Sequence, residues 1–127
     1  LAEAGLSRLS SLLEKQNYKQ LEHITCSGQG VLAVQWKEGS KVEDFIKSSL
    51  LFGQMKELNE QIKMERNLLK KLNADCNSAI SIFASNGFLQ GEIFGRDKFI
   101  TFSGNNVDQL YKDITANNGL NLLNEHH

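Results

Sequence analysis

Ile80-Ser81-Ile82-Phe83-Ala84-Ser85-Asn86-Gly87-Phe88-Leu89-Gln90-Gly91-Glu92-Ile93-Phe94 decides the fold. In an extended chain, side chains alternate between two faces, so Ile80, Ile82 and Ala84 point one way and Ser81, Phe83 and Ser85 the other. Asn86-Gly87 then offers the two residues that best tolerate the positive φ of a type I′ hairpin turn. Phe88 to Phe94 is the return strand, Gly95-Arg96-Asp97 turns the chain again, and Lys98 to Phe102 is a third strand. The expectation is a three-stranded antiparallel meander.

The period on either side is helical. Upstream, Met55, Leu58, Ile62, Glu65, Leu69 and Leu72 recur at a 3-4-3-4-3 spacing, which predicts a helix from about Met55 to Leu72. Glu65 is the odd member of that stripe. A carboxylate among apolar residues is costly unless paired, so it either reaches solvent or makes an ion pair across a domain interface. Downstream, Asn106 with Gln109 three residues on predicts the cap of a last helix. That helix buries Val107, Leu110, Tyr111 and Ile114 and ends at Asn117-Asn118-Gly119. Helix, meander, helix is a two-layer α+β module with helices over one face of the sheet.

Further upstream the pattern is less regular. Ser40-Lys41-Val42-Glu43 reads as a capping box opening a helix that buries Val42, Phe45, Ile46, Ser49 and Leu50. Gly53 is expected to end it and to mark a hinge or domain boundary. Val31 to Trp36 reads as a mostly buried strand whose partners lie outside the chain. Ala2, Leu6, Leu9 and Leu13 share one helical face, and Glu14 to Gln20 reads as a loop. Gly5 inside that first helix costs on the order of 1 kcal/mol, so it marks a close approach or simple tolerance.

Composition narrows the function classes. The chain has 127 residues, 40% hydrophobic and 23% charged, with a net charge of −1. Those values fit a globular protein and give no global electrostatic case for nucleic acid or an anionic membrane. Its longest apolar runs are far short of the roughly 20 residues of a membrane helix. Two cysteines fifty positions apart, without a spacing motif, read as free thiols rather than a disulfide. The two terminal histidines, native or a tag remnant, lack the further ligands of a metal site. A start at Leu1 without a methionine or leader reads as a piece of something longer.

Cys76 falls where the long helix stops and the strands begin. A sulfur on such a loop can be offered to a reactive partner, whereas one inside the helical stripe could only pack. Taken alone it is more often inert.

Four segments in register give the chain a resemblance to hydroxymethylbilane synthase, also called porphobilinogen deaminase, over its C-terminal part. They are Leu1-Ala2-Glu3-Ala4-Gly5-Leu6-Ser7-Arg8-Leu9, Ser27-Gly28-Gln29-Gly30-Val31-Leu32-Ala33-Val34, Glu65-Arg66 with Cys76 ten residues on, and the three strands with their final helix. The resemblance implies an α+β C-terminal domain at 54–127, preceded by α/β segments of two other domains. Residues 1–20 would end the second domain and 21–52 would return through the first. It also implies a transferase of porphyrin and haem biosynthesis. Such an enzyme joins four porphobilinogen units into the linear tetrapyrrole hydroxymethylbilane with release of ammonia. Family enzymes build the polymer on a dipyrromethane cofactor held by a thioether, and Cys76 matches the attachment point.

Arg8 matches a residue that holds substrate carboxylates, a role suited to the guanidinium fork; alone it reads as a solvated surface group. Gln29 and Gly30 match a turn lining the substrate cleft, and alone read as an ordinary turn. Arg66 reads as structural, and Cys26 as an unmodified thiol. No catalytic residue is expected in this chain, because the family's catalytic aspartate belongs to an N-terminal domain. With only Arg8, Arg66 and Arg96 to meet many carboxylates, the chain is expected to be inactive without its N-terminal remainder. A monomer in the cytoplasm, or in a plastid stroma, is the further implication.

Departures from the family pattern fall beside the sulfur. Ala74 and Asp75 stand where two glycines are usual, Val31 stands for an alanine, and the chain has no proline after the cysteine or anywhere else. They leave the loop geometry and its loading with cofactor open. The competing reading is a non-catalytic α+β interaction domain, using the meander edge or the Leu50-Phe52 patch to bind another protein.

Overall fold

The Asn86-Gly87 turn forms as its residues dictate, with φ of 51° and 72°, and sets Ser85 opposite Phe88. The computed structural model describes residues 3–9 and 18–126. Among these the elements are α1 (Glu3–Arg8), α2 (Lys41–Ser48), α3 (Leu50–Lys71), β1 (Ile80–Ser85), β2 (Phe88–Phe94), β3 (Phe99–Gly104), α4 (Val107–Ala116) and α5 (Gly119–Asn124). The strands form one antiparallel sheet in the order β1-β2-β3. Helix α3 packs on β1, α4 on β3 and α5 on β2, giving the expected two-layer α+β fold.

The core lies between the sheet and these helices. Leu68, Leu72, Ile82, Ala84, Leu89, Ile93, Phe102, Leu110, Ile114, Leu122 and Leu123 are its buried members. Period two selects Leu89, Gly91 and Ile93 for the inner face of β2. Gly91 is required there, since a Cβ would come within 2.5 Å of the Ser81 carbonyl and 2.2 Å of the Phe102 ring. The opposite face is open except where His23 and Ile24 lie over Glu92. Phe83, Phe88 and Phe99 remain exposed on it.

Several expectations are corrected. Gly53 does not end a helix; it lies inside α3, and the break comes at Ser49, whose backbone is extended (φ −70°, ψ 144°). The capping box does not form: neither of its two reciprocal bonds is made. Ser40 occupies the N-cap without a side-chain cap bond, and Glu43 instead accepts from the Gly39 amide and pairs with Lys47. Helix α2 buries none of its residues: Phe45 is 75% and Val42 53% exposed. An apolar stripe is buried only where another surface meets it, and the described residues bring none there. The side chain of Leu50 lies outside the described residues.

Val31 to Trp36 is not a strand, and Leu32 is 92% exposed. Sheet contact ends upstream of it, where the Ile82 amide donates to the Thr25 carbonyl. The first helix is seen over Glu3–Arg8; Ala2 and Leu13, most of the loop at Glu14 to Gln20, and the last histidine lie outside the described residues. Among the described residues of α3, Leu68 is wholly buried, with Leu69 only flanking the core. Downstream, the Asn106 side chain accepts from the Gln109 amide as expected. Asn118 then takes φ of 65° and starts α5, a helix that the sequence pattern does not announce.

One ion pair joins the end of α3 to the start of α4: Lys71 Nζ lies 2.7 Å from Asp108 Oδ1. The Lys71 ammonium holds the Asp108 carboxyl below its ordinary value of 3.8. A lowered folded-state value stabilises the fold above the unfolded value and is lost as pH falls through the folded one. Wild type should therefore exceed Asp108→Asn slightly in urea midpoint above pH 3.8. The gap should close below that pH and shrink at high salt. A gap that persists in strong acid would contradict the assignment.

Candidate functional site

Two loops carry the residues singled out by sequence. The first follows α3. Leu72 is its C-cap and Asn73 takes the left-handed φ of 53°. The Asn73 amide donates to the Lys70 carbonyl and the Ala74 amide to the Leu69 carbonyl, at 3.1 and 2.9 Å. These are the paired bonds of a Schellman cap, with Ala74 and Leu69 both packed against the core. The chain is thereby thrown off the helix into a tight turn. The Asp75 side chain accepts from the Asn77 amide at 2.8 Å, and the Ser78 amide donates to the Asp75 carbonyl at 3.1 Å. Ser78 Oγ accepts in turn from the Asp75 amide.

Cys76 sits at the second position of that turn, exposed and unbridged. Its loop is anchored at both ends, by the helix cap before it and by the Phe94 amide donating to the Ala79 carbonyl after it. The departures at 74 and 75 now have a local account. Positive φ is needed only at Asn73, so neither Ala74 nor Asp75 has to be glycine, and the Asp75 side chain itself closes the turn.

The second loop is Ser27-Gly28-Gln29-Gly30. Gly28 and Gly30 take φ of 70° and 77°, a conformation that glycine adopts freely. The Gln29 amide donates to the Cys26 carbonyl, and Cys26 Sγ donates to Gln29 Oε1 at 3.4 Å. Gln29 and Cys26 are exposed.

Glu65 ties this loop to the module, and both readings of it are corrected. It is 4% exposed and has no cation beside it among the described residues. Its carboxylate instead accepts from Ser27 Oγ (2.7 Å), the Gly28 amide (3.0 Å) and the Ala84 amide of β1 (2.9 Å). Three donors satisfy the buried charge in place of an ion pair. Glu65 stands six residues before the end of α3, roughly 9 Å along the axis, so one helix carries both the turn's anchor and the Cys76 loop. Arg66 points outward, exposed, and makes no ion pair among the described residues. Arg8 is exposed in the last turn of α1, and among the described residues no hydrogen bond or ion pair joins it to either loop.

A second buried carboxylate has no sequence signature. Glu92 of β2 is 6% exposed although its parity puts it on the open face. It accepts from the Ile24 amide at 3.1 Å, and His23 Nδ1 lies 3.2 and 3.3 Å from its two oxygens. A carboxylate only accepts, so Nδ1 carries the proton. The His23 ring also meets Phe94 and Phe99 edge-on. Nothing local announces this pairing, which spans 69 positions of sequence. Among the described residues, no three His, Cys, Asp or Glu side chains group to hold a metal ion. No helix among them is long and apolar enough to cross a membrane.

Fold and site thus define an α+β module bearing an accessible thiol on the loop between its long helix and its sheet. No family model matches the chain. Among curated proteins it is similar to porphobilinogen deaminase of Clostridium acetobutylicum, with 32% identity over 120 residues, 92% of this chain and 37% of the relative. It is also similar to porphobilinogen deaminase of Clostridium perfringens, with 29% identity over 126 residues, 97% of this chain and 39% of the relative. The same figures hold for a second strain of that species. The chain resembles porphobilinogen deaminase along essentially its whole length, and spans somewhat over a third of the length of the curated relatives it matches.

Proposed function

We propose that the chain is the C-terminal part of a hydroxymethylbilane synthase, the transferase that joins four porphobilinogen units with release of ammonia. The observation that carries the reading is the exposed Cys76 thiol, held on a loop fixed at both ends, in a chain similar to porphobilinogen deaminases over more than nine-tenths of its length. The residues fit a covalently held dipyrromethane. Cys76 Sγ is accessible, its turn is closed by backbone and Asp75 bonds that leave the sulfur unused, and no side chain among the described residues bonds it. Sulfur suits such an attachment, because it adds readily to the electron-poor methylene left when a pyrrole loses ammonia, and a thioether survives turnover. When bound, the cofactor supplies the primer from which the pyrrole chain is extended.

The chain's own contribution is attachment and part of the cleft. Cys76 is the anchor, the Gln29-Gly30 turn lines the cleft, and Arg8 offers a guanidinium to acetate or propionate groups. Residues 54–127 form the attachment domain, its boundary falling inside α3 rather than at a helix end, with 1–20 and 21–52 contributed to the other two. The remainder of the enzyme supplies the acidic group that stabilises developing positive charge and the basic residues that cradle the polymer. The whole acts as a monomer in the cytoplasm or a plastid stroma. The full-length protein should consume porphobilinogen and release ammonia, while the 127-residue chain alone should do neither. Turnover by the isolated chain, or none by the full-length protein, would overturn the proposal.

A second reading is favoured by Phe83 and Phe88, both exposed toward one end of the open face. On that reading the module is an interaction domain and the sheet face meets another protein. The free edge of β1 is not open to such a partner, since Thr25 and Glu65 take its Ile82 and Ala84 amides.

A further inference from the structure

The segment from His23 to Gly28 belongs to no helix or strand, yet it is held at nearly every step. His23 and the Ile24 amide meet Glu92, the Thr25 carbonyl meets the Ile82 amide, and Ser27 Oγ and the Gly28 amide meet Glu65. The two carboxylates come from different layers. Glu65 projects from α3 on the covered side of the sheet. Glu92 lies on the open side, opposite in parity to Leu89 and Ile93. Between them the segment runs along the edge of β1 and pairs with it through one backbone bond.

The geometry points to Glu65 and Glu92 as a pair of positioning residues that clasp His23–Gly28 from opposite faces of the sheet and so fix the Gln29-Gly30 turn. The inference rests on the cleft role proposed above for that turn. Without the clasp, an exposed turn with two glycines at positive φ has little to hold it in one place. Each carboxylate serves two or three donors with acceptor oxygens alone. At Glu65 an amide turns one oxygen into an N–H donor that must face the backbone N–H of Gly28 or Ala84; at Glu92 the amide oxygen can keep Ile24 only if its NH2 turns to His23 Nδ1, which must then give up its proton to accept. Gln is therefore isosteric but not equivalent.

Hydrogen exchange of the full-length protein tests this directly, comparing Glu65→Gln, Glu92→Gln and His23→Ala with wild type. His23 is half-exposed, so its removal loosens one clasp without burying an orphan charge in the core. Expected is faster exchange at residues 23–31 and at the Ile82 and Ala84 amides that the clasp holds, by about tenfold or more for Glu65→Gln, the size of a lost bond to a charged group, and by less for Glu92→Gln. The other amides of strands 80–104 should keep wild-type protection. KM for porphobilinogen should rise more than kcat falls, and Glu92→Asp should recover part of both losses. Unchanged exchange at 23–31, or equal acceleration of the sheet, overturns the proposal. The exchange readout does not depend on a Cys76 adduct, so a protein with the local effect but no adduct sinks the functional reading and leaves the clasp standing.

Discussion

Cys76→Ala should abolish turnover by the full-length protein while leaving its fold untouched. Intact mass should exceed the sequence mass by one dipyrromethane in wild type and equal the sequence mass in the variant. Ehrlich's reagent should colour only the first. Compared before cofactor loading, the two proteins should differ in stability by no more than about 0.5 kcal/mol, because the side chain is exposed and makes no bond that the fold needs. That separation makes the result interpretable: a core residue would lose activity by unfolding. Cys26→Ala supplies the matched control. It too is an exposed thiol, but its sulfur is engaged with Gln29. It should keep the adduct, and peptide mapping should find the added mass at Cys76 alone. An adduct on Cys26, or full turnover by Cys76→Ala, would refute the attachment site.

What the sequence revealed and what it hid divide along physical lines. Locally coded features were legible: the Asn86-Gly87 turn, the alternation from Ile80 to Ser85, the Asn106 cap and the stripe from Val107 to Ile114. Each depends on neighbours within a few positions. The position of Cys76 on a loop was also legible, because the helical period ends before it and the strand period begins after it. Features that depend on what comes to lie alongside were not. Phe45 and Leu32 look like core residues and are exposed, since a stripe or an apolar run says nothing about whether a second surface exists to cover it. Glu65 reads as solvent-reaching or as half of an ion pair because its true partners, two amides and a hydroxyl, leave no charge pattern in the sequence. Glu92 sits at an outward position in a strand, and only the return of residues 23 and 24 buries it. Gly53 resembled a helix stop because glycine can end a helix or merely weaken one, and Ser49 already provides the break.

The largest loss of stability is expected from Leu68→Ala. Leu68 is wholly buried on the face of α3 that looks toward the sheet, one helical turn past Glu65 and one before Leu72. Truncation removes the transfer free energy of its methyl and methylene groups and leaves a cavity that rigid neighbours fill only in part, together about 2–5 kcal/mol. Set against the roughly 5–15 kcal/mol that holds a typical domain, in a two-layer module with a small core, this is a large fraction. The urea midpoint should fall sharply with the slope unchanged, because the surface exposed on unfolding is nearly the same. Leu68→Met, which conserves volume, should cost under about 1.5 kcal/mol and separates cavity formation from any special need for leucine. The neighbouring Leu69→Ala should cost clearly less, since Leu69 is only partly buried against the core. Equal losses at 68 and 69 would mean that the helix meets the sheet on a different face, and the anchoring of Glu65 to Ala84 would then fall with it.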